Sequence, residues 1–349
     1  MNQMFRILSY SLFIVAVFLQ TSCAKNGGDT PSGGTTSSTP TVSVRANQTI
    51  NGYPHKIDYY IPSNATAAVV FLHGGGGKKE GLENDLGIKN DSTTTNYTVS
   101  NSGQSWLLNE KIISVFPQGQ TLDTYNAWTW NNFVMISGQD DVAFLQALVA
   151  SLKADSTLPP INKIYLVGHS NGGMMANRMW CQSPTTFDGY GSLAGPPSSH
   201  FALVGGDQAC TPSTVQPYIG IVGDSDRVLR SLGNMSAASW SITPVLTTSS
   251  ATWVDANPTV LNEKLFHSRR VNLKCGGTPA APVTSGQLTT YSDCSNSVKL
   301  IVISQTTISG QASGGDHCLA TPVATCTTTL SGATGLDYKT TLVDFLKAF

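Results

Sequence analysis

Charged residues make up only 12% of this 349-residue chain and nearly cancel, leaving a net charge of −1. There is no cluster of Lys and Arg. A nucleic-acid partner needs a concentrated basic surface to displace counterions from phosphates, so none is expected. None of the cysteine spacings is a C-x-x-C, which leaves a zinc site or dithiol redox centre without its usual ligand pair. The glycine-rich segment after Leu72 does not have the phosphate-loop spacing either: G-x-x-x-x-G-K-[ST] would need glycine in place of Leu72 and a hydroxyl in place of Lys79. No cofactor and no metal are therefore expected. The apolar run 7–19 is shorter than the ~20 residues a membrane-spanning helix requires.

What that run does fit is an export signal. Residues 1–20 carry one positive charge, Arg6, ahead of the apolar stretch, and residues 1–22 are read as a signal peptide. Thr21 and Ser22 before Cys23 resemble the lipobox of bacterial lipoproteins, although Gln20 stands where that pattern has Leu. Residues 23–41 are dominated by Gly, Ser, Thr and Pro, too poor in apolar surface to fold, and are read as a flexible linker. A lipid on Cys23 followed by a tether and ordinary secretion with a frayed terminus are the two readings. Membrane contact is expected only through that lipid. An exported chain is also disulfide-permissive: of seven cysteines, six follow Cys23. Six allow 15 connectivities, and sequence order favours local closure, Cys181 with Cys210, Cys275 with Cys294, and Cys318 with Cys326.

Residues 42–349 are read as one α/β domain acting as a monomer. Residues 42–45 and 55–61 alternate like half-exposed strands around the turn Asn51-Gly52, which predicts an opening antiparallel hairpin. Residues 67–72 are wholly apolar, a central strand, and run into His73 and four successive glycines, Gly74 to Gly77. Those glycines expose N–H groups suited to an anion or oxyanion, or else form a surface loop. Residues 82–103 have no clear period and read as a surface excursion. Residues 112–116 return to strand. If extended, the following Trp128-Thr129-Trp130 aims both indoles to one side, as a platform for a sugar or aromatic group or as core anchors. Asp140 and Asp141 open a helix with Val142, Leu145, Val149 and Leu152 on one face; capping is their expected role, a metal or an acid–base pair the alternative. Short strands at 190–193, 218–222 and 298–303 continue the alternation of strand and helix, and residues 337–349 close it with a helix packing Leu342, Phe345 and Leu346. This alternation implies a mostly parallel, doubly wound sheet with helices on both faces and functional loops at the strands' carboxyl ends. The segment 229–297, rich in Thr and Ser, is expected to lie over that end as a wall or lid.

The centre of the chain is KIYLVGHSNGGMMANRMW, residues 163–180. The apolar run 164–167 stops at Gly168, and Met175, Ala176, Met179 and Trp180 then recur at helical spacing. Between them Gly168-His169-Ser170-Asn171-Gly172 fits the G-x-S-x-G nucleophile elbow, in which a strand turning directly into a helix lifts the serine hydroxyl above the sheet. This is the α/β-hydrolase arrangement, and its chain order of serine, acid and histidine leaves His267 and His317 as candidate bases. His317 is preferred because it follows a strand on a glycine-rich turn, whereas His267 lies inside the insertion beside Arg269 and Arg270. Asp226 is preferred over Asp224 as the acid; Asp316 competes, but immediate neighbours rarely face one another.

These residues resemble a family over about residues 55–319: the esterases of the polyhydroxybutyrate-depolymerase type, which include feruloyl and acetylxylan esterases of carbohydrate esterase family one. The matching features are His73-Gly74, Asp140-Asp141-Val142 with Phe144, the run 168–174, Gly223-x-x-Asp226, the pair Cys275 and Cys294, and Gly315-x-His317. The resemblance implies a serine esterase with Ser170 as nucleophile, His317 as general base and then acid, and Asp226 orienting it. It also implies that the N–H groups of Gly75 and Asn171 hold the oxyanion. Many relatives carry Trp where Cys318 stands and Cys where Gly75 stands. The implied substrates are feruloyl or acetyl esters of plant polysaccharide, with polyhydroxybutyrate oligomers as the alternative and a non-catalytic glycan binder as a third reading.

The last disulfide carries a prediction. Ser313 to Gly315 make the His317 turn pliant, while a general base must stay within hydrogen-bond reach of its serine. A Cys318–Cys326 bridge would steady it, so Cys326→Ala is expected to lower turnover more than ester binding. Free thiols at both positions in the exported protein, read by mass spectrometry, would contradict the bridge.

Overall fold

Along Ala67–Leu72 successive side chains enter two different cores. Ala68, Val70 and Leu72 join one apolar cluster and Ala67, Val69 and Phe71 the other, and each of the six is at most 7% exposed. A strand buried on both faces needs layers above and below it, which is why this run is apolar throughout and does not alternate with polar residues. A computed structural model describes residues 39–121, 128–135, 137–201, 210–224, 226, 258–304, 306–308, 311–313, 315, 317 and 336–349. The expected signal peptide at 1–22, nearly all of the linker at 23–41, and Cys318 and Cys326 lie outside the described residues.

In chain order the elements begin β1 (Val42–Gln48), β2 (Ile57–Pro62), β3 (Ala67–Leu72), α1 (Lys79–Asp85), α2 (Asn101–Glu110) and β4 (Ile112–Pro117). The short strands β5 (Gln120–Thr121) and β6 (Trp128–Thr129) pair with each other, and α3 (Asp141–Ala154) follows. Then come β7 (Lys163–His169), α4 (Asn171–Gln182), β8 (Gly189–Leu193) and β9 (Tyr218–Gly223). The last are α5 (Pro258–Cys275), β10 (Val283–Ser285), β11 (Leu288–Asp293), β12 (Val298–Ile303), the paired β13 (Thr306–Ile308) and β14 (Gln311–Ser313), and α6 (Tyr338–Lys347).

Ten strands form one sheet in the order β1-β2-β4-β3-β7-β8-β9-β12-β11-β10. From β4 to β12 every neighbouring pair is parallel, while β1 and β2 at one edge and β11 and β10 at the other run antiparallel. Leu145, Leu148 and Leu152 of α3 and Met175, Met179 and Trp180 of α4 cover one face; Leu82 of α1, Leu107 of α2 and Leu342 and Leu346 of α6 cover the other. The opening hairpin, the parallel centre and the terminal helix follow the sequence reading. Because the central strands are parallel, the loops after β3, β7, β9 and β12 all emerge at one edge of the sheet.

Two segments depart from the reading. Residues 82–103 are a surface excursion only in part: 90–99 are mostly exposed, but α1 and α2 border them, and Leu82, Glu83, Ile88 and Lys89 are buried, as are Lys79 and Glu80 at the start of α1. Lys79 Nζ sits 2.6 Å from both Asp58 and Glu80, and the Tyr60 hydroxyl donates to Glu83 at 2.9 Å. The apolar period is missing because charge pairs occupy part of the buried face. The described part of 229–297 is likewise no lid. Helix α5 lies on the sheet against β9 and β12, and β10 and β11 extend the sheet's edge. Its inward side is polar: Arg270, 1% exposed, lies 3.4 Å over the Tyr218 ring, reaches Glu263 at 3.3 Å and donates to Asn177 of α4. Two disulfides tie this region, Cys181–Cys210 at the end of α4 and Cys275–Cys294 from the end of α5 to the residue after β11.

Removing one partner of a buried ion pair leaves an uncompensated charge. Arg270→Ala is expected to lower the unfolding free energy by about 3–5 kcal/mol in urea melts, and a loss well below ~1 kcal/mol would show that α5 is not integral to the sheet.

Candidate active site

Strand β7 enters α4 with one residue between them, Ser170, whose φ of 53° and ψ of −119° lie outside the regions non-glycine residues favour. The sequence makes room for that turn. A Cβ on Gly168 would overlap the Gly172 carbonyl, and one on Gly172 would overlap the Leu72 carbonyl of β3. Ser170 occupies the N-cap of α4, where a serine hydroxyl ordinarily accepts from the first turn, yet it makes no such bond. The hydroxyl turns instead to His317, Oγ to Nε2 at 2.8 Å. His317 Nδ1 lies 2.7 Å from a carboxylate oxygen of Asp226, which is fully buried. Three side chains from the ends of β7, β9 and the segment after β12 are thus in one hydrogen-bonded line.

The other candidates fall elsewhere. Asp224 continues the β9–β12 edge, its N–H donating to Ile303, and Asp316 lies outside the described residues. His267 is engaged by Asp293 at 2.8 Å. Asp140 caps α3 by accepting from the Ala143 N–H at 3.0 Å. Asp141 is buried and accepts from the Asn131 N–H and the Ser137 hydroxyl while lying 2.9 Å from His55 Nε2, so it braces a loop and is no acid–base partner of Asp140. The tryptophan platform needs correction. Trp130 is fully buried and its indole N–H donates to the His73 carbonyl at 3.1 Å, so it is a core anchor with no face left for a ligand. Trp128 is half-buried, and its carbonyl accepts from the Gly76 N–H at 2.7 Å.

Gly75 and Asn171 approach one another: a Cβ on Gly75 would stand 3.5 Å from Asn171 Cβ. Asn171 opens α4, where first-turn N–H groups have no intrahelical acceptor and the helix dipole is positive. Its side chain is occupied in holding the β6 end, Oδ1 accepting from the Trp130 N–H at 2.8 Å and Nδ2 donating to the Trp130 carbonyl at 3.1 Å. Asn132 adds a bond to the Asn171 carbonyl at 3.1 Å.

His73 sets the glycine loop, a role the sequence reading missed. Its Nε2 receives the Gly119 N–H and the Gln118 amide, both at 2.9 Å, so the ring proton must be on Nδ1, which donates to the Gly74 carbonyl at 2.7 Å. Gln118 is oriented by accepting from the Lys79 N–H at 3.0 Å. Burial pushes His73 down to about 4. His169, its ring 5.2 Å from that of His317, is also held well below the usual imidazole range by burial and then by the neighbouring His317. The signal for His73 was its place between a central strand and the glycines; nothing local marked Gln118 or Asn132.

No protein-family model matches the chain. A protein of Nocardia uniformis subsp. tsuyamanensis assigned as an esterase, NocK, is 36% identical over 98 residues, which is 28% of this chain and 26% of that one. Among solved structures, an acetyl xylan esterase from Aspergillus awamori superposes with a TM-score of 0.51 over 87% of this chain and 99% of its own, at 13% identity. The chain has the α/β-hydrolase fold. A Bacillus cereus carboxylesterase aligns with a TM-score of 0.35 over 54% of this chain and 80% of its own, also at 13% identity.

Neutral His73 links stability to pH. Its folded value of about 4 lies below the unfolded value near 6.5, so the unfolded chain binds the extra proton between them. The contribution is intact above pH 6.5 and is lost as pH falls towards 4. Relative to His73→Gln, the wild type is expected to lose about 3 kcal/mol over that window. Parallel stability curves for the two proteins in urea melts at pH 7, 5.5 and 4 would contradict it.

Proposed function

We propose that the chain is an exported serine carboxylic ester hydrolase that works through an acyl-enzyme, with feruloyl or acetyl esters of plant polysaccharide as substrates. The observation that carries the reading is the line Ser170–His317–Asp226, with spacings of 2.8 and 2.7 Å, on an elbow whose serine has given up its capping bond. In this reading Ser170 Oγ attacks the ester carbonyl carbon while His317 Nε2 takes its proton. Asp226 keeps the imidazole in the tautomer that presents Nε2 as acceptor and stabilises the imidazolium. The carbonyl oxygen becomes an oxyanion facing the Gly75 and Asn171 N–H groups. His317 then protonates the departing alcohol, and water attacking the acyl-serine repeats the sequence with water in the alcohol's place.

Export is supported by the two disulfides, which persist in oxidising compartments, and by the apolar run behind Arg6. A lipid on Cys23 is the proposed anchor to the outer surface. The likeness in fold to an acetyl xylan esterase supports glycan-linked acetate as one substrate. A glycan-binding protein without turnover has no use for a serine turned from its helix to an imidazole.

Ser170→Ala is expected to reduce hydrolysis of p-nitrophenyl acetate by roughly 10⁴-fold or more. Activity surviving that change would refute the nucleophile, and absence of labelling of the wild type by a fluorophosphonate would favour binding alone. Rates on methyl ferulate, acetylated xylan and hydroxybutyrate oligomers rank the substrate classes, and preference for the last would move the assignment to polyester.

A further inference from the structure

We infer that Met135 is a positioning residue for the oxyanion hole, its thioether holding the Gly75 N–H in register with that of Asn171. The inference rests on the reading of Ser170 as an ester nucleophile. A Cβ built on Gly75 would lie 2.9 Å from Met135 Sδ, 3.1 Å from its Cε and 3.5 Å from Asn171 Cβ. The thioether therefore fills the room that a side chain at position 75 would take, beside the place where Gly75 approaches Asn171.

Gly75 needs such a support. Glycine imposes no backbone preference of its own, and the neighbours on its C-terminal side are fixed by bonds, Gly76 N–H to the Trp128 carbonyl and Gly77 N–H to the Gly74 carbonyl. No backbone hydrogen bond among the described residues involves Gly75 itself. The carbonyl of the same planar peptide accepts from His73 Nδ1 at 2.7 Å and from the Gly77 N–H at 3.0 Å, which sets the direction of the Gly75 N–H; how closely Gly75 sits against Asn171 is left to side-chain packing, and an unbranched thioether is well shaped for an irregular gap.

Met135 is itself fixed to the same frame. Its N–H donates to Asn132 Oδ1 at 2.9 Å, its carbonyl accepts from the Asn132 N–H at 3.1 Å, and the Asn132 amide donates to the Asn171 carbonyl at 3.1 Å. Two residues earlier, Phe133 has φ of 74°, a conformation that persists only where surroundings over-determine it. Here Arg178 of α4 lies 4.1 Å over the Phe133 ring and donates to the Asn131 carbonyl at 2.6 Å. The loop thus clamps α4 to the glycine run, and Met135 is the part of it that touches Gly75.

The test is a double-mutant cycle on p-nitrophenyl acetate with Met135→Ala, Gly75→Ala and the pair, alongside Met135→Leu and Ser170→Ala, each checked for folding by circular dichroism. Met135→Ala is expected to lower kcat by roughly 10- to 100-fold with KM within about twofold, a fraction of the loss seen when an oxyanion donor is removed outright. Met135→Leu restores most of kcat. Gly75→Ala lowers kcat by driving its methyl into Sδ, and the pair loses clearly less than the product of the two single losses because the collision is gone. Should Met135→Ala not fold, Met135→Val takes its place with the same expectation. Wild-type kcat in Met135→Ala, a proportional rise in KM, or single losses that simply multiply would overturn the inference while leaving the esterase reading in place. A wild type no faster than Ser170→Ala overturns both.

Discussion

The approach of β7 to the first turn of α4 is the constraint on which the rest of the site depends. Ser170 sits at φ 53° and ψ −119° only because Gly168 and Gly172 let the strand end, the helix start and the Leu72 carbonyl of β3 crowd into one volume. A non-glycine residue in such a conformation costs about 1–3 kcal/mol, which the surrounding sheet must offset. It does so with well-buried neighbours: Leu72, Leu166, Met175 and Met179 are fully inaccessible. The strain has a geometric return. It takes the serine hydroxyl off the helix and turns it to His317 Nε2 at 2.8 Å.

Much of this was legible in the sequence because it is local. The strand runs 67–72 and 164–167, the G-x-S-x-G spacing and the helical period of 175–180 each express one element's needs and can be read within a dozen residues. The disulfides Cys181–Cys210 and Cys275–Cys294 follow the local pairing for the same reason, with separations of 29 and 19 residues. The gathering of Ser170, Asp226 and His317 was legible only through topology. Parallel strands put their ends at one edge, so residues 147 and 91 positions from His317 could be expected beside it.

The illegible parts are those where polar groups do the work of apolar ones. Helix α5 hid its sheet-facing side because Arg270, Glu263 and His267 are all at most 1% exposed, each engaged by a partner. The charged residues around Lys79 concealed α1 in the same way. Trp130 was ambiguous for the opposite reason: an indole suits a sugar platform and a core equally, and the tie went to the core once its N–H found the His73 carbonyl. Amide side chains are the hardest to read. Asn171 and Asn132 hold backbone segments about 40 positions away, and no spacing rule marks an asparagine that will do so.

The three imidazoles around the site divide their labour by environment. His73 has Nε2 committed as an acceptor and is pushed by burial to about 4, so it takes up no proton near neutral pH. His169 is likewise held well below the usual imidazole range, by its burial and then by His317 itself. Only His317 combines a carboxylate at 2.7 Å with a serine hydroxyl at 2.8 Å. In the proposed reaction a proton leaving Ser170 therefore meets one ring with a carboxylate placed to stabilise it, and the two rings beside it are poor competitors. In that proposed reaction, keeping them neutral would also spare the oxyanion region from a fixed positive charge that favours bound anions over the transient one. The same buried ring ties the glycine loop to the segment just after β4 through Gly119, so the electrostatic and the positional requirements are met by one side chain.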